Sequence, residues 1–256
     1  MRLVVLGSGT SFGVPQLGCR CPTCTSDDPR DRRTRVGAVV EDGDARLLID
    51  TPPELRLQLL RENITTVDAV LYTHDHADHV HGIDDLRAIS VRHGRLPLYG
   101  QGDALERIVQ RFPYIFDERI QPPPGTSKPE LVPMALEAGV EVEIAGMTVV
   151  PLVFDHGTMA VYGYRIGRLA YVTDVKTVPD DAVRRLRGVE VLVLNALFER
   201  THPTHLSIPE AIDVARAVGA ERTYLTHIPH RSRHVDLLAR LPAGIEPAFD
   251  GLAVTF

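Results

Sequence analysis

Val67-Asp68-Ala69-Val70-Leu71-Tyr72-Thr73-His74-Asp75-His76-Ala77-Asp78-His79 is the stretch that decides how this chain is read. Residues 67–72 form a mostly apolar run of strand length, and it ends on a dense cluster of metal-binding groups. Imidazole and carboxylate are ligands that suit zinc, manganese and iron. If the strand ends near Thr73, His74 and His76 point the same way, because side chains alternate along a strand. A turn after them returns Asp78 and His79 toward the same point, so that one group can hold one ion and the other its neighbour. A solvated polar loop is the plain alternative, and it does not account for three histidines in six positions.

Other apolar segments end in the same way. His156 follows 149–154, Asp174 follows 169–173 and His227 follows 223–225. Polar residues gathered at one edge of a sheet build the site in many sheet-based enzymes. Each residue alone is as compatible with the surface as with a site. Together they define a candidate ligand set of His74, His76, Asp78, His79, His156, Asp174 and His227. Asp174 can bridge two ions because a carboxylate has two oxygens. Asp50 ends the run 45–49 and is placed to orient a histidine by hydrogen bond. His81, His93 and His234 are expected on the surface or beside the site.

The rest of the chain reads as strands followed by alternating helices and strands. Strands are expected at 3–6, 36–40, 45–49, 96–99, 140–144, 147–153, 161–166 and 168–173, with a hairpin turn at Asp42-Gly43-Asp44. Pro53 opens a helix to about residue 61, and 104–112 reads as another. The last third runs helix 180–187, strand 189–194, helix 208–218, strand 221–226, helix 234–240, and a closing strand at 252–255. This order predicts an α/β (α+β) fold with helices on the outer faces of the sheets. Nothing marks a boundary, so one domain over 1–256 is expected. The proline-rich stretch 121–133 is the linker or lid candidate. The charged stretch 26–35 is expected to be exposed.

Composition narrows the partners. The chain has 256 residues, 44% of them hydrophobic and 24% charged, which is ordinary globular usage and enough for a core. A net charge of −6 argues against nucleic acid as the main partner. The N-terminal apolar run is too short for a signal peptide, and no segment approaches the ~20 apolar residues of a membrane span. A cytoplasmic protein without a membrane partner is expected.

All three cysteines lie in Cys19-Arg20-Cys21-Pro22-Thr23-Cys24. An odd, clustered set makes no disulfide framework and suggests metal binding in a reducing compartment. A structural zinc wants four ligands, and His230 is the best candidate for the fourth. Such a site would pin the N-terminal loop beside the strand end that carries His227. Three reduced, unliganded cysteines are the alternative. His205 lies two residues before Ser207-Ile208-Pro209-Glu210, a capping-box pattern that opens a helix. That fixes its loop and can project it into a cleft. His202 competes for the same role, and an exposed loop histidine is the plain reading of either.

The pattern His74-x-His76-x-Asp78-His79, followed by His156, Asp174 and His227, resembles the metallo-β-lactamase superfamily. The resemblance implies a four-layer αββα sandwich with a two-metal site at one edge of its sheets. Gly7-Ser8-Gly9-Thr10-Ser11, the cysteine motif, Thr226-His227-x-x-His230 and the stretch 202–207 narrow it to the PhnP-type cyclic-phosphate phosphodiesterases. These are related to the tRNA 3′-processing nucleases. The branch implies two catalytic divalent ions, manganese or zinc, one structural zinc, and His205 as proton donor. Asp78 and His205 are then the candidate catalytic residues. The implied reaction is hydrolysis of a small phosphodiester, such as a ribosyl 1,2-cyclic phosphate. A water activated by two metals attacks phosphorus, and the histidine protonates the departing oxygen. Arg200, Arg231 and Arg233 are candidate phosphate contacts, and a homodimer is compatible with the resemblance. An RNA-processing nuclease, a thioesterase or lactonase, and a catalytically silent metal-binding scaffold are the alternatives. The first is disfavoured because the chain has no glycine- and lysine-rich arm.

Overall fold

The computed structural model describes residues 1–256. Its strands are β1 (Arg2–Gly7), β2 (Gly37–Asp42), β3 (Ala45–Ile49), β4 (Ala69–Leu71), β5 (Leu96–Gly100), β6 (Leu131–Ala135), β7 (Val142–Ile144), β8 (Met147–His156), β9 (Met159–Ile166), β10 (Leu169–Val172), β11 (Val191–Asn195), β12 (Arg222–Thr226), β13 (Ile245–Pro247) and β14 (Ala253–Thr255). They form two seven-stranded sheets, in the orders β14-β1-β2-β3-β4-β5-β6 and β13-β12-β11-β10-β9-β8-β7. In the first sheet β3 to β6 run parallel, and in the second β10 to β13 do. Parallel neighbours leave their C-terminal ends at one edge, where ligand-binding groups gather.

Alternation along the strands explains the layers. In β3, Leu47 and Ile49 face the core between the sheets, while Leu48 faces outward. In β11, Val191 and Val193 face that same inner core and Leu192 and Leu194 face out. Both faces are apolar, so both must be covered. Leu55, Leu59, Ile89, Leu105 and Ile108 from helices cover the outer face of the first sheet. Ala182, Leu186, Ala211, Ala215 and Leu237 cover that of the second. The result is the expected αββα sandwich. The helix Ile208–Val218 begins on a complete Ser207–Glu210 capping box and stops at left-handed Gly219.

The structure corrects three expectations. Part of the proline-rich stretch is β6, an edge strand in which Pro133 lies opposite Leu98. An edge strand tolerates proline because one side has no ladder to complete. The remaining loop bonds to its own neighbourhood: Lys128 Nζ donates to Asp117 O and Ile120 O, and Glu130 N donates to Ser90 Oγ. Strand β13 and the helices Ala77–Val80 and Arg87–His93 also had no clear periodic signal.

The third correction concerns 26–35, where Asp31 and Arg33 are buried rather than exposed. The Arg33 guanidinium donates to Asp31 Oδ1 (2.8 Å), Pro229 O (3.1 Å), Ser232 O (2.9 Å) and Arg30 O (3.2 Å). Asp31 Oδ1 also accepts from His234 N at 2.7 Å. Charge predicts solvent, but an ion pair with this many hydrogen bonds can sit inside, even with Asp31 Oδ2 left without a hydrogen-bond partner. His234, grouped above with surface or neighbouring residues, is buried too.

Two outcomes follow. Removing one partner of a buried pair strands the other, so Arg33→Met should cost about 3–5 kcal/mol in urea unfolding; a loss under about 1 kcal/mol would contradict this account. Burial, with Arg30 and Arg33 beside it, pushes His234 down to about 4. The unfolded chain takes up this proton first as pH falls, so stability is complete above the ordinary imidazole value and declines below it. His234→Gln should flatten that acid limb between about pH 6.5 and 4, read as urea midpoints against pH.

Candidate metal centre

The site is assembled from strand ends. Asp50 follows β3, Thr73 and His74 follow β4, His156 ends β8, Asp174 follows β10 and His227 follows β12. Three of them, Asp50 (φ 61°), Asp174 (φ 57°) and His227 (φ 58°), adopt left-handed backbone, uncommon outside glycine. Strain of this kind persists where surrounding structure over-determines it, and it clusters at functional sites. The turn after β4 continues into the helix Ala77–Val80 and packs tightly on residues 50–52. A Cβ on Gly82 would come within 2.1 Å of Pro52 O, so no side chain fits there.

Asp50 organises the floor. Its Oδ1 accepts from Thr73 N (2.8 Å), and its Oδ2 accepts from Thr73 Oγ1 (2.8 Å) and His79 Nδ1 (2.8 Å). That bond turns His79 Nε2 away from Asp50 into the cluster, where it is buried without a hydrogen-bond partner. Asp78 Oδ2 and Asp174 Oδ2 each lie 3.5 Å from it. Asp174 Oδ1 lies 3.1 Å from His227 Nε2 and 3.0 Å from His205 Nε2. On the other side, His74 Nε2 and His76 Nδ1 are 3.0 Å apart. The His156 ring stands 5.6 and 5.2 Å from those of His74 and His76. His156 Nδ1 donates to Thr204 O at 2.8 Å, which leaves Nε2 free. All seven candidate ligands thus converge.

The electrostatics divide the cluster. Burial pushes His74, His76 and His156 down toward the neutral form, with lone pairs available. Burial also acts on His79, but Asp174, Asp50 and Asp78 outweigh it and hold its imidazole up at about 10. Burial would raise Asp174, yet His227 and His79 hold it well below the carboxylate range. Three neutral imidazoles facing each other, an orphaned buried Nε2 and converging carboxylates are a donor set that fits divalent cations. One ligand atom from each of His74, His76 and His156 falls within a 4.8 Å group, as does one from each of His74, His79 and Asp174.

The cysteine loop forms a second group. Cys19, Cys21 and Cys24 Sγ lie 3.2, 3.4 and 3.7 Å from His230 Nδ1. A tetrahedral zinc with bonds of ~2.3 Å to sulfur and ~2.0 Å to nitrogen separates those atoms by about 3.5 Å, so the four donors fit one ion.

His205, rather than His202, touches the cluster. Thr204 Oγ1 sits 2.8 Å from His205 Nδ1 and 3.2 Å from His202 Nδ1. Gly157 turns at φ 66°, and a Cβ there would lie 2.8 Å from Thr204 Cγ2, so the β8–β9 turn packs directly on this loop. Arg200 and Arg231 both lie over the Phe198 ring, beside His202. Arg233 instead turns toward Asp31, at 3.9 Å. His81 and His93 are exposed. Thr73 and Thr204 carry no mark in the sequence, since a lone threonine after a strand or in a loop has no spacing signal.

Asp50→Asn removes an acceptor from the bond that aims His79, and should weaken metal affinity about 10–100-fold, measured by chelator competition. Unchanged affinity would detach Asp50 from the site.

Comparison with known proteins agrees with this fold. A model described as a β-lactamase superfamily domain matches residues 45–228. The chain is 39% identical to an octanoyltransferase of Porphyromonas gingivalis over 98% of its own length, but spans only 51% of that protein. It is 32% identical to coenzyme PQQ synthesis protein B of Methylobacterium radiotolerans, covering 95% of this chain and 87% of that one. The crystal structure of a diphosphatase from the PhnP family superposes with a TM-score of 0.91 at 39% identity, covering 100% of this chain and 97% of the other. Fold and matched residues together place this chain in the β-lactamase superfamily, as a hydrolase with the metallo-β-lactamase fold that takes divalent metal.

Proposed function

We propose that the chain hydrolyses a small phosphodiester, such as a ribosyl 1,2-cyclic phosphate, with His205 as general acid. The observation that carries this is the 3.0 Å contact of His205 Nε2 with Asp174 Oδ1, at the heart of the candidate ligand cluster. In this reading His74, His76 and His156 would hold one divalent ion and Asp78, His79 and His227 a second, with Asp174 shared between the two groups and manganese or zinc as the metal. Cys19, Cys21, Cys24 and His230 hold a structural zinc. Bound at the cluster, two divalent ions supply Lewis-acid polarisation and lower the pKa of water.

The protein's own groups account for the proton. Burial pushes His205 down, and the hydrogen bond that its Nε2 donates to Asp174 opposes this. A substrate phosphate adds negative charge and favours the imidazolium further. Thr204 Oγ1 engages Nδ1 and fixes the ring, leaving Nε2 as the atom that gives its proton to the departing sugar oxygen. Asp78, 16% exposed, is the carboxylate open enough to orient an incoming water. Arg200 and Arg231 make no ion pair with any carboxylate of the chain and stand at the rim beside His202, suited to a substrate phosphate. The PhnP-family diphosphatase supports phosphoryl chemistry. The octanoyltransferase is about twice as long as the matched region, so its acyl-transfer name does not carry over to this site.

General acid assistance is worth about 10²–10⁴-fold, and His205→Ala should lose that much kcat on a diester with an alkoxide leaving group. On bis(p-nitrophenyl) phosphate the loss should be far smaller, because nitrophenolate departs without a proton. Equal losses on both, with metal content retained, would remove His205 from the acid role. Absence of any diester turnover by the fully loaded protein would end the phosphodiesterase reading.

A further inference from the structure

Asp75 stands between His74 and His76, and neither the ligand set nor the proposed reaction uses it. In an extended segment its side chain points away from those two histidines. It is nonetheless buried. A buried carboxylate is stable only when it is paired, and Asp75 is paired twice. Arg107 Nη2 lies 2.9 Å from Oδ1 and Arg111 Nη2 lies 3.1 Å from Oδ2. Arg111 Nη1 also donates to the Asp75 carbonyl oxygen, so the fork grips backbone and side chain of one residue.

Both arginines come from the helix Gly102–Arg111, four residues apart, which places them on one face. Ala104, Leu105 and Ile108 of that helix are buried, so its position is set by the core. The grip is therefore a link between a fixed helix and the turn that presents the histidines.

One histidine needs such a link more than the rest. His74, His79 and His156 each have a ring nitrogen hydrogen-bonded outside the cluster, to Thr73 Oγ1 (3.0 Å), Asp50 Oδ2 (2.8 Å) and Thr204 O (2.8 Å). His227 has no such partner but is buried. His76 is exposed, and the one hydrogen-bond contact of its ring is His74 itself. Its placement thus depends on the backbone that carries it.

We propose that Arg107 and Arg111 are positioning residues for the metal-binding turn, acting through Asp75 to hold His76 in ligating geometry. This rests on the ligand reading above. Orienting contacts of this type are worth about 10–100-fold in metal affinity.

The test is metal affinity by chelator competition, with zinc and with manganese, on the full chain without substrate. Asp75→Asn, Arg107→Gln and Arg111→Gln should each weaken affinity at the histidine cluster by about 10-fold or more, while the zinc at the cysteine group stays bound. In the Asp75→Asn background Arg107→Gln should add nothing further, because it acts through that carboxylate alone, while Arg111→Gln should keep only the part of its effect that runs through the Asp75 carbonyl. Arg111→Lys, which keeps the charge but loses the fork, should recover part of the affinity. Asp75→Asn keeps the shape while removing the charge and one of the two acceptors, so it reports even where an arginine variant folds poorly. Unchanged affinity in all three single variants overturns the proposal. So does a rise in KM with affinity unchanged, which would make the arginines substrate contacts. His76→Ala separates the levels: if it also leaves stoichiometry and affinity intact, the ligand reading falls and this inference with it.

Discussion

Two buried carboxylates from opposite sheets sharing one imidazole are the constraint on which the site depends. Asp50 leaves β3 of the first sheet and bonds His79 Nδ1; Asp174 leaves β10 of the second and faces His79 Nε2. Neither carboxylate can be buried without compensation. In the metal-free chain His79 supplies it, held protonated by the surrounding negative charge. A cation held at Nε2 would relieve the same imbalance. The apolar packing between the sheets sets the distance from Asp50 to Asp174, and so sets the size of the space offered. Close-packed interiors resist such shifts, which makes the inter-sheet core a determinant of ligand spacing.

Topology explains why the groups meet at one edge. The parallel strands β3, β4, β10 and β12 all end there, and Asp50, His74, Asp174 and His227 follow closely behind those ends. A strand continuing in β geometry would carry its side chains past the site. Left-handed turns at Asp50, Asp174 and His227 instead reverse the chain at once. Such turns cost on the order of 1–3 kcal/mol each, and the dense hydrogen bonding around them holds them in place.

The segment 227–234 ties three polar networks together. His227 faces the cluster, His230 faces the cysteines, and His234 N–H bonds Asp31 beside buried Arg33. Asp250 closes the same end of the molecule, accepting from Ser8 N and Oγ with one oxygen and from Thr34 N and Oγ1 with the other. The N-terminal loop therefore buttresses the strand end that carries the candidate ligand His227. Damage to the cysteine group should be felt at the cluster through this short stretch.

Much of the site was legible in the residues alone. Histidine and carboxylate at the ends of apolar runs are visible by composition, because a short continuous apolar run announces its end. The capping box before 208 was equally plain, since it is a local contact within four residues. What only the tertiary structure decided were the contacts between distant segments. Arg33 looked like a surface charge until its four acceptors, two of them about 200 residues away, surrounded it. Pro133 spoke against a strand until β6 proved to be an edge. Asp75 looked like a spacer until a helix more than thirty residues on gripped it. Ligand chemistry is a property of residue type and can be read along the chain. Burial and the partners that compensate it belong to the packed molecule, because they depend on which surfaces meet.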